Sequence, residues 1–192
     1  MKFRITVFAI ILGWVLLLSS CRDRYFSDRS AAVKYLDAQH QGFEQVAEAW
    51  SAGVPQHPSI FCNFGPSGYR WGKTFIRTVS GGFTMENDGR KGKAATLEEA
   101  SSWAGAPYVS VSHWVNATSQ YKIYCIQDSL ESNVQIMLAG SEWSPYGFRY
   151  APKNNDSGLK SLIFYAGQGG IDSSDRRMEL ISGRWFYFEA KR

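Results

Sequence analysis

The chain has 192 residues, of which 44% are hydrophobic, 15% aromatic and 20% charged. This aromatic content excludes a disordered chain, and the length suits one domain with a sizeable core. The formal net charge is +4 and falls to +2 without Lys2 and Arg4, which lie in a segment that we predict to be removed. A charge this small does not predict a protein that binds nucleic acid.

The first twenty residues have the layout of an export signal. Lys2 and Arg4 precede an apolar run over residues 5–18. A positive start followed by about 7–15 apolar residues is typical of a secretory signal peptide. The run is shorter than the roughly 20 residues that a membrane-spanning helix needs. We therefore predict a signal peptide over residues 1–20, with the rest of the chain outside the cytoplasm.

The end of this segment, Leu18-Ser19-Ser20-Cys21, resembles the lipobox of bacterial lipoproteins. The resemblance covers only the first 21 residues. It implies that Cys21 becomes the new N-terminus and carries several acyl chains, which suffice for stable anchoring in a lipid bilayer. In enterobacterial lipoproteins an aspartate directly after the cysteine retains the protein at the inner membrane. Arg22 at that position implies the outer membrane. The alternative is an uncleaved helical anchor with an incidental cysteine.

The remaining cysteines predict a disulfide. With Cys21 assigned to lipid, Cys62 and Cys125 are left as a pair in an oxidising compartment, and we expect a bond between them. Two buried free thiols are the alternative. Metal ligation is disfavoured because no further cysteine or histidine lies at ligand spacing. The predicted organisation is a lipidated cysteine with a polar tether over residues 21–30 and a single globular domain over 31–192.

The first element of the domain is predicted to be a long amphipathic helix over residues 31–51. Its apolar positions recur every three or four residues, as expected for one helical face, at Val33, Leu36, Phe43, Val46, Ala47 and Trp50. Gly53 and Pro55 end it. His40 lies in this stripe, which favours a structural histidine.

Short aromatic and β-branched runs separated by turn residues follow and indicate strands. We expect them at residues 60–64, 69–80, 83–86, 108–115, 121–127, 134–138, 147–150, 159–165, 177–181 and 185–190. A short helix is predicted over residues 97–104, with Thr96 and Glu99 forming a capping box. The predicted fold class is α+β: an antiparallel β-meander sheet with one long N-terminal amphipathic helix packed on it and one short helix.

The motifs of known catalysts are incomplete. Gly72-Lys73-Thr74 lacks the first glycine of a phosphate-binding loop, and Ser157-Gly158-Leu159-Lys160 leads into a predicted strand, so neither predicts an enzyme. The three histidines form no spaced pair. Acidic residues are plentiful, but no pair can be selected for hydrolysis. These acids include Asp128, Glu131, Glu142, Asp172, Asp175, Glu179 and Glu189. No cofactor is predicted.

Two features remain as candidate binding sites. Trp114 alternates with serines on a predicted strand, and Trp143 and Tyr146 lie in a predicted loop, so these rings could form an exposed aromatic site. Residues 89–93, Gly-Arg-Lys-Gly-Lys, form a predicted basic loop that could touch anionic headgroups, although a solvated hairpin tip is the favoured reading.

These observations predict a membrane-anchored lipoprotein that acts by binding, as an accessory subunit of an envelope complex or as an inhibitor or immunity-type partner. The first alternative is a module that binds glycan or peptidoglycan through exposed aromatic residues. The second is an envelope hydrolase.

Overall fold

The computed structural model describes residues 29–139, 146–167 and 176–190. Ten strands form one sheet in which every neighbouring pair is antiparallel, in the order β5-β4-β3-β2-β1-β6-β7-β8-β10-β9. The strands are β1 Ile60–Asn63, β2 Gly68–Trp71, β3 Thr74–Val79, β4 Gly82–Asn87, β5 Arg90–Ala94, β6 Cys125–Asp128, β7 Val134–Ala139, β8 Tyr146–Tyr150, β9 Arg176–Ser182 and β10 Trp185–Ala190.

The described residues form five α-helices, and these overturn the predicted fold. They are α1 Arg29–Ala38, α2 His40–Ala52, α3 Leu97–Trp103, α4 Tyr108–Gln120 and α5 Asp156–Gly167, with short 3-10 turns at Gly65–Ser67 and Leu130–Ser132. The prediction of one long N-terminal helix is wrong, because the chain breaks at Gln39, where φ is −118° and ψ is 18°. Leu36 and Phe43 are seven residues apart, which also fits two turns of an unbroken helix. The apolar spacing therefore does not reveal the break.

Two predicted strands are helices. The residues predicted as strand 108–115 lie in α4, whose buried side chains recur at the 3–4 spacing of a helix: Ser110, Val111, Trp114 and Thr118. Its valines and aromatic rings suit a strand by type, but tertiary packing overrides such preferences. The predicted strand 159–165 lies in α5. The predicted strand 69–80 is instead the β2–β3 hairpin, which turns at Gly72, where φ is +56°.

Short-range chemistry accounts for the local structure at two other places. The Asp88-Gly89 turn joins β4 to β5, with φ of 46° and 81°, the left-handed pair that a type I′ hairpin turn requires. Thr96 is the N-cap of α3, and its hydroxyl accepts a hydrogen bond from the Glu99 N–H. The Glu99 carboxylate reaches back to the N–H of Ala95 rather than to that of Thr96.

The order of elements is repeated about the centre of the sheet. A helix pair precedes β1 and a second pair precedes β6, and these two strands lie side by side. The strands after β1 run outward to one edge at β5. Those after β6 run outward to the other edge, where β10 is inserted between β8 and β9. The two edges of the sheet therefore come from opposite halves of the chain.

The two faces of the sheet are covered differently. Residues of α1–α4 contribute to the main core on one face, which we call the helical face and which includes the fully buried rings of Trp50, Trp114 and Trp185. On the other face, α5 contributes Leu162 to a smaller core with Met178 and Phe186, near β9 and β10. At the opposite end of this second face, the side chains of β3 and β5 are exposed. This uncovered part carries the candidate site.

Candidate functional site

The predicted disulfide is confirmed. Cys62 of β1 and Cys125 of β6 lie directly opposite each other in adjacent strands and are covalently joined. Their Cα atoms are 4.0 Å apart, and Cys125 is fully buried. The bond crosses the line where the two halves of the sheet meet. Cys21, the predicted lipidation site, lies outside the described residues.

The predicted aromatic site does not have an exposed Trp114. This ring is 0% exposed and lies in the main core, 5.0 Å from the ring of Trp50. The prediction of exposure is wrong because α4 is a helix, so Trp114 does not alternate with the serines as it would in a strand. Tyr146 begins β8 and is half-buried against the same core. Trp143 lies outside the described residues.

A histidine that the sequence did not single out, His57, is half-buried and packs against this core. The His57 ring stacks on Trp50, with centroids 3.7 Å apart, and meets Trp114 edge-on. Its Nε2 is 2.6 Å from the carbonyl oxygen of Trp50, and its Nδ1 is 2.7 Å from that of Pro58. Both ring nitrogens thus face backbone oxygens. His57 therefore holds the segment after α2 against the core.

Two carboxylates do come together, although neither was among the acids named above for the hydrolase alternative. Glu44 and Glu48 lie one turn apart on α2, on either side of the Tyr150 hydroxyl. That hydroxyl donates a hydrogen bond to Glu48 at 2.7 Å and lies 3.4 Å from Glu44. Lys153 forms an ion pair with Glu44 at 2.9 Å, and its backbone N–H donates to Glu48.

The charges of this cluster suit a structural role. Burial, followed by the hydrogen bond to Glu48, raises the pKa of Tyr150 and keeps its phenol neutral. The hydrogen bond from Lys153 lowers the pKa of Glu44, whereas a general acid needs a raised one. The cluster therefore fastens α2 to the segment that follows β8. It does not support the hydrolase alternative.

The strongest candidate for a binding site is a groove of about 440 Å³ on the uncovered part of the second face. We call it the basic groove. Its side chains come from alternate positions of three adjacent strands: Phe75 and Arg77 of β3, Thr84 and Glu86 of β4, and Lys91 and Lys93 of β5. Alternation places all six on the same face of the sheet. The groove therefore carries three cationic side chains and one carboxylate.

The apolar wall of the basic groove, the ring of Phe75, is held in place by neighbouring side chains. Phe75 is 36% exposed. The Phe64 ring stacks on it at 5.9 Å, and the guanidinium of Arg70 lies 5.1 Å from its centroid. Arg70 is itself oriented by a hydrogen bond from Nε to the carbonyl oxygen of Gly72. A ring supported in this way can receive a ligand with little further ordering.

The predicted basic loop is mostly a strand. Residues 90–94 form β5, an outermost strand of the sheet in the described part of the chain. Lys91 and Lys93 are exposed, and both line the basic groove. On the helical face, Trp103 of α3 lies against Gly92. A Cβ at Gly92 would come within 2.6 Å of its indole nitrogen, so glycine allows this close packing. Trp103 remains 37% exposed beside the strand.

Sequence reasoning missed the groove because its residues come from three strands whose register was not known. The sequence does place Phe75 and Arg77 two residues apart in one strand, and such residues lie on the same face of a sheet. Their neighbours across the sheet, Glu86 and Thr84, follow only from the pairing of β3 with β4.

Among the described residues, no group of three or more His, Cys, Asp or Glu side chains is placed to hold a metal ion. No helix within the same ranges is both long enough and apolar enough to span a membrane. No protein-family model matches the chain, and no curated protein or solved structure shows significant similarity to it.

Proposed function

We propose that this protein is a bacterial envelope lipoprotein, anchored in the outer membrane through Cys21, that acts by binding a protein partner. It serves as an accessory subunit of an envelope complex or as an inhibitor or immunity-type partner. The observation that carries the proposal is the basic groove, in which Arg77, Lys91 and Lys93 are exposed around the supported ring of Phe75. An apolar anchor surrounded by polar and charged groups is the usual composition of a recognition surface.

The position of the groove relative to the tether supports a role in binding. Arg29, the first described residue, pairs with Glu179 of β9 at 2.6 Å, so the tether joins the domain beside one edge of the sheet. The groove lies at the other edge, beside β5. At about 4.8 Å per strand, the two are separated by roughly 40 Å along the sheet. A partner can therefore reach the groove without displacing the anchor.

The charge of the groove favours a partner with an acidic surface. Three cations face one carboxylate, Glu86, and all four lie where water can still reach them. Exposed charges of this kind contribute more to the rate and selectivity of association than to its final affinity. A tether raises the local concentration of the protein near other envelope components, so a modest affinity is sufficient.

Site-specific photocrosslinking in the producing cell tests the proposal. A photoreactive amino acid replaces Thr84 inside the groove or, as a matched control, Gln41, which is exposed on α2 on the other side of the sheet. We expect one discrete crosslinked species from position 84 and none of that mass from position 41. The species should disappear in the Lys91→Glu, Lys93→Glu double variant.

Two results would count against the proposal. Crosslinks of the same mass and yield from both positions would indicate unspecific collisions. A species from position 84 that survives the double charge reversal would show that the groove does not select its partner by charge.

A further inference from the structure

We propose that the partner adds a β-strand to the free edge of β5, and that this strand alternates acidic with apolar side chains. The inference rests on the proposed function and specifies how the groove recognises its partner. Three features meet at this edge: backbone groups that no strand of the described residues pairs with, two lysines on one side of the strand and an exposed tryptophan on the other.

The backbone of β5 presents its free hydrogen-bonding groups at the two lysines. Asn87 and Arg90 close the two-residue β4–β5 turn, so they are a hydrogen-bonded pair, and hydrogen-bonded pairs alternate with non-bonded ones along the ladder. Lys91 and Lys93 are opposite Glu86 and Thr84 in non-bonded pairs. Their N–H and C=O groups therefore point away from β4, towards the edge where no described strand pairs.

The side chains of β5 then determine what an added strand must carry. A residue paired with Lys91 or Lys93 would place its Cβ about 5 Å from that of the lysine, on the groove face. An acidic residue at these alternate positions would gain two ion pairs and lie beside the cationic groove. The intervening residues of the added strand would point to the helical face. There they would meet Trp103, which lies against Gly92 and is 37% exposed.

The same edge disfavours pairing between two copies of this protein. An antiparallel pair of β5 strands would bring lysines opposite lysines, and like charges facing each other destabilise a sheet. Edge lysines are also a common protection against unspecific strand pairing. The lysines of β5 thus disfavour pairing with the β5 strand of a second copy and favour pairing with an acidic strand. Repulsion and attraction both contribute to the selectivity of this edge.

A labelled peptide measures this binding directly. The probe is a six-residue peptide of alternating valine and glutamate, and its affinity for the mature lipidated chain in detergent micelles is read by fluorescence anisotropy. Lys93→Ala removes one charge, whereas Lys93→Pro removes the same charge and also the outward N–H. Proline is tolerated at an edge where that N–H serves no internal bond. Losing one backbone hydrogen bond should make Lys93→Pro bind about fivefold more weakly than Lys93→Ala.

A second arm does not depend on the fold of the proline variant. The same peptide, N-methylated at the amides that would face β5, should lose its affinity for the unmodified protein. A valine–lysine peptide should not bind. The inference is overturned if the N-methylated peptide binds as well as the parent peptide, or if folded Lys93→Pro and Lys93→Ala proteins bind equally. It is also overturned if the valine–glutamate peptide does not bind. The position-84 crosslink decides the proposed function separately.

Discussion

Cys62 and Cys125 face each other across the β1–β6 pair and are joined by the disulfide at the centre of the ten-stranded sheet. Their sequence separation is 63 residues, so the bond closes a loop that contains the whole β2–β5 meander and α3 and α4. A cross-link of this span restricts the unfolded chain far more than it changes the native sheet. The two halves of the sheet are therefore held together both by strand pairing and by a covalent bond.

Removing this bond should destabilise the domain without changing its fold. The Cys62→Ala, Cys125→Ala variant should lose about 4 kcal/mol of unfolding free energy in the chain-entropy model, measured by urea denaturation. Reductant should lower the midpoint of the unmodified protein and leave that of the variant unchanged. A reductant-insensitive midpoint in the unmodified protein would contradict the disulfide.

Tyr150 should contribute to stability through its hydroxyl. Tyr150→Phe removes the hydrogen bond to Glu48 and leaves that carboxylate without one of its donors. We expect a loss on the order of 1–2 kcal/mol in the free energy of unfolding. Tyr108→Phe is the matched control, since Tyr108 is 44% exposed at the start of α4. Equal stability of the two variants would show that the Tyr150 hydroxyl does not contribute to the free energy of unfolding.

The Glu44–Lys153 ion pair should make the free energy of unfolding depend on pH in the acidic range. The hydrogen bond and charge of Lys153 lower the pKa of Glu44 below 4.5, its ordinary value. A lowered folded-state pKa means that this stabilisation is complete above pH 4.5 and is lost as the pH falls through the folded-state pKa. Lys153→Gln should therefore reduce the acid-induced loss of stability, and Lys153→Arg should preserve it. Identical stability–pH profiles for Lys153→Gln and the unmodified protein would refute this assignment.

The anchor proposal predicts a simple biochemical result. Cys21→Ser should abolish metabolic labelling with palmitate and leave an uncleaved precursor. In the bacterial lipoproteins whose lipobox this segment resembles, both acylation and cleavage require the cysteine thiol. Substitution of Ser27, inside the proposed tether but away from the cleavage site, should leave labelling unchanged. Labelling that persists in Cys21→Ser would show that the lipid is carried elsewhere or that the signal is of another kind.

Local signals were readable from the sequence, whereas packing was not. The Asp88-Gly89 turn and the Thr96 cap depend on residues within four positions of one another, so their chemistry is sufficient to predict them. Trp114 shows the opposite case. The residue types around it suit a strand as well as a helix, and its burial follows from packing against Trp50, which is distant in sequence.

The basic groove shows why sites on sheets are difficult to predict from one sequence. Arg77 and Lys93 are both opposite Thr84 on its two neighbouring strands, although 16 positions separate them in the numbering of the chain. The sequence shows which residues of one strand share a face, but it does not show the register between strands. A shift of one residue would place these side chains on the helical face. Only the observed pairing therefore identifies them as one surface.

The most direct test of the central claim, that the protein binds a partner through the basic groove, is the yield of the position-84 crosslink in two Arg77 variants. Arg77→Lys keeps the charge and should retain most of the yield. Arg77→Glu reverses one of the three positive charges of the groove and should reduce the yield at least tenfold, because a like charge facing an acidic partner is costly. Equal yields from the two variants, at equal protein levels, would contradict the claim.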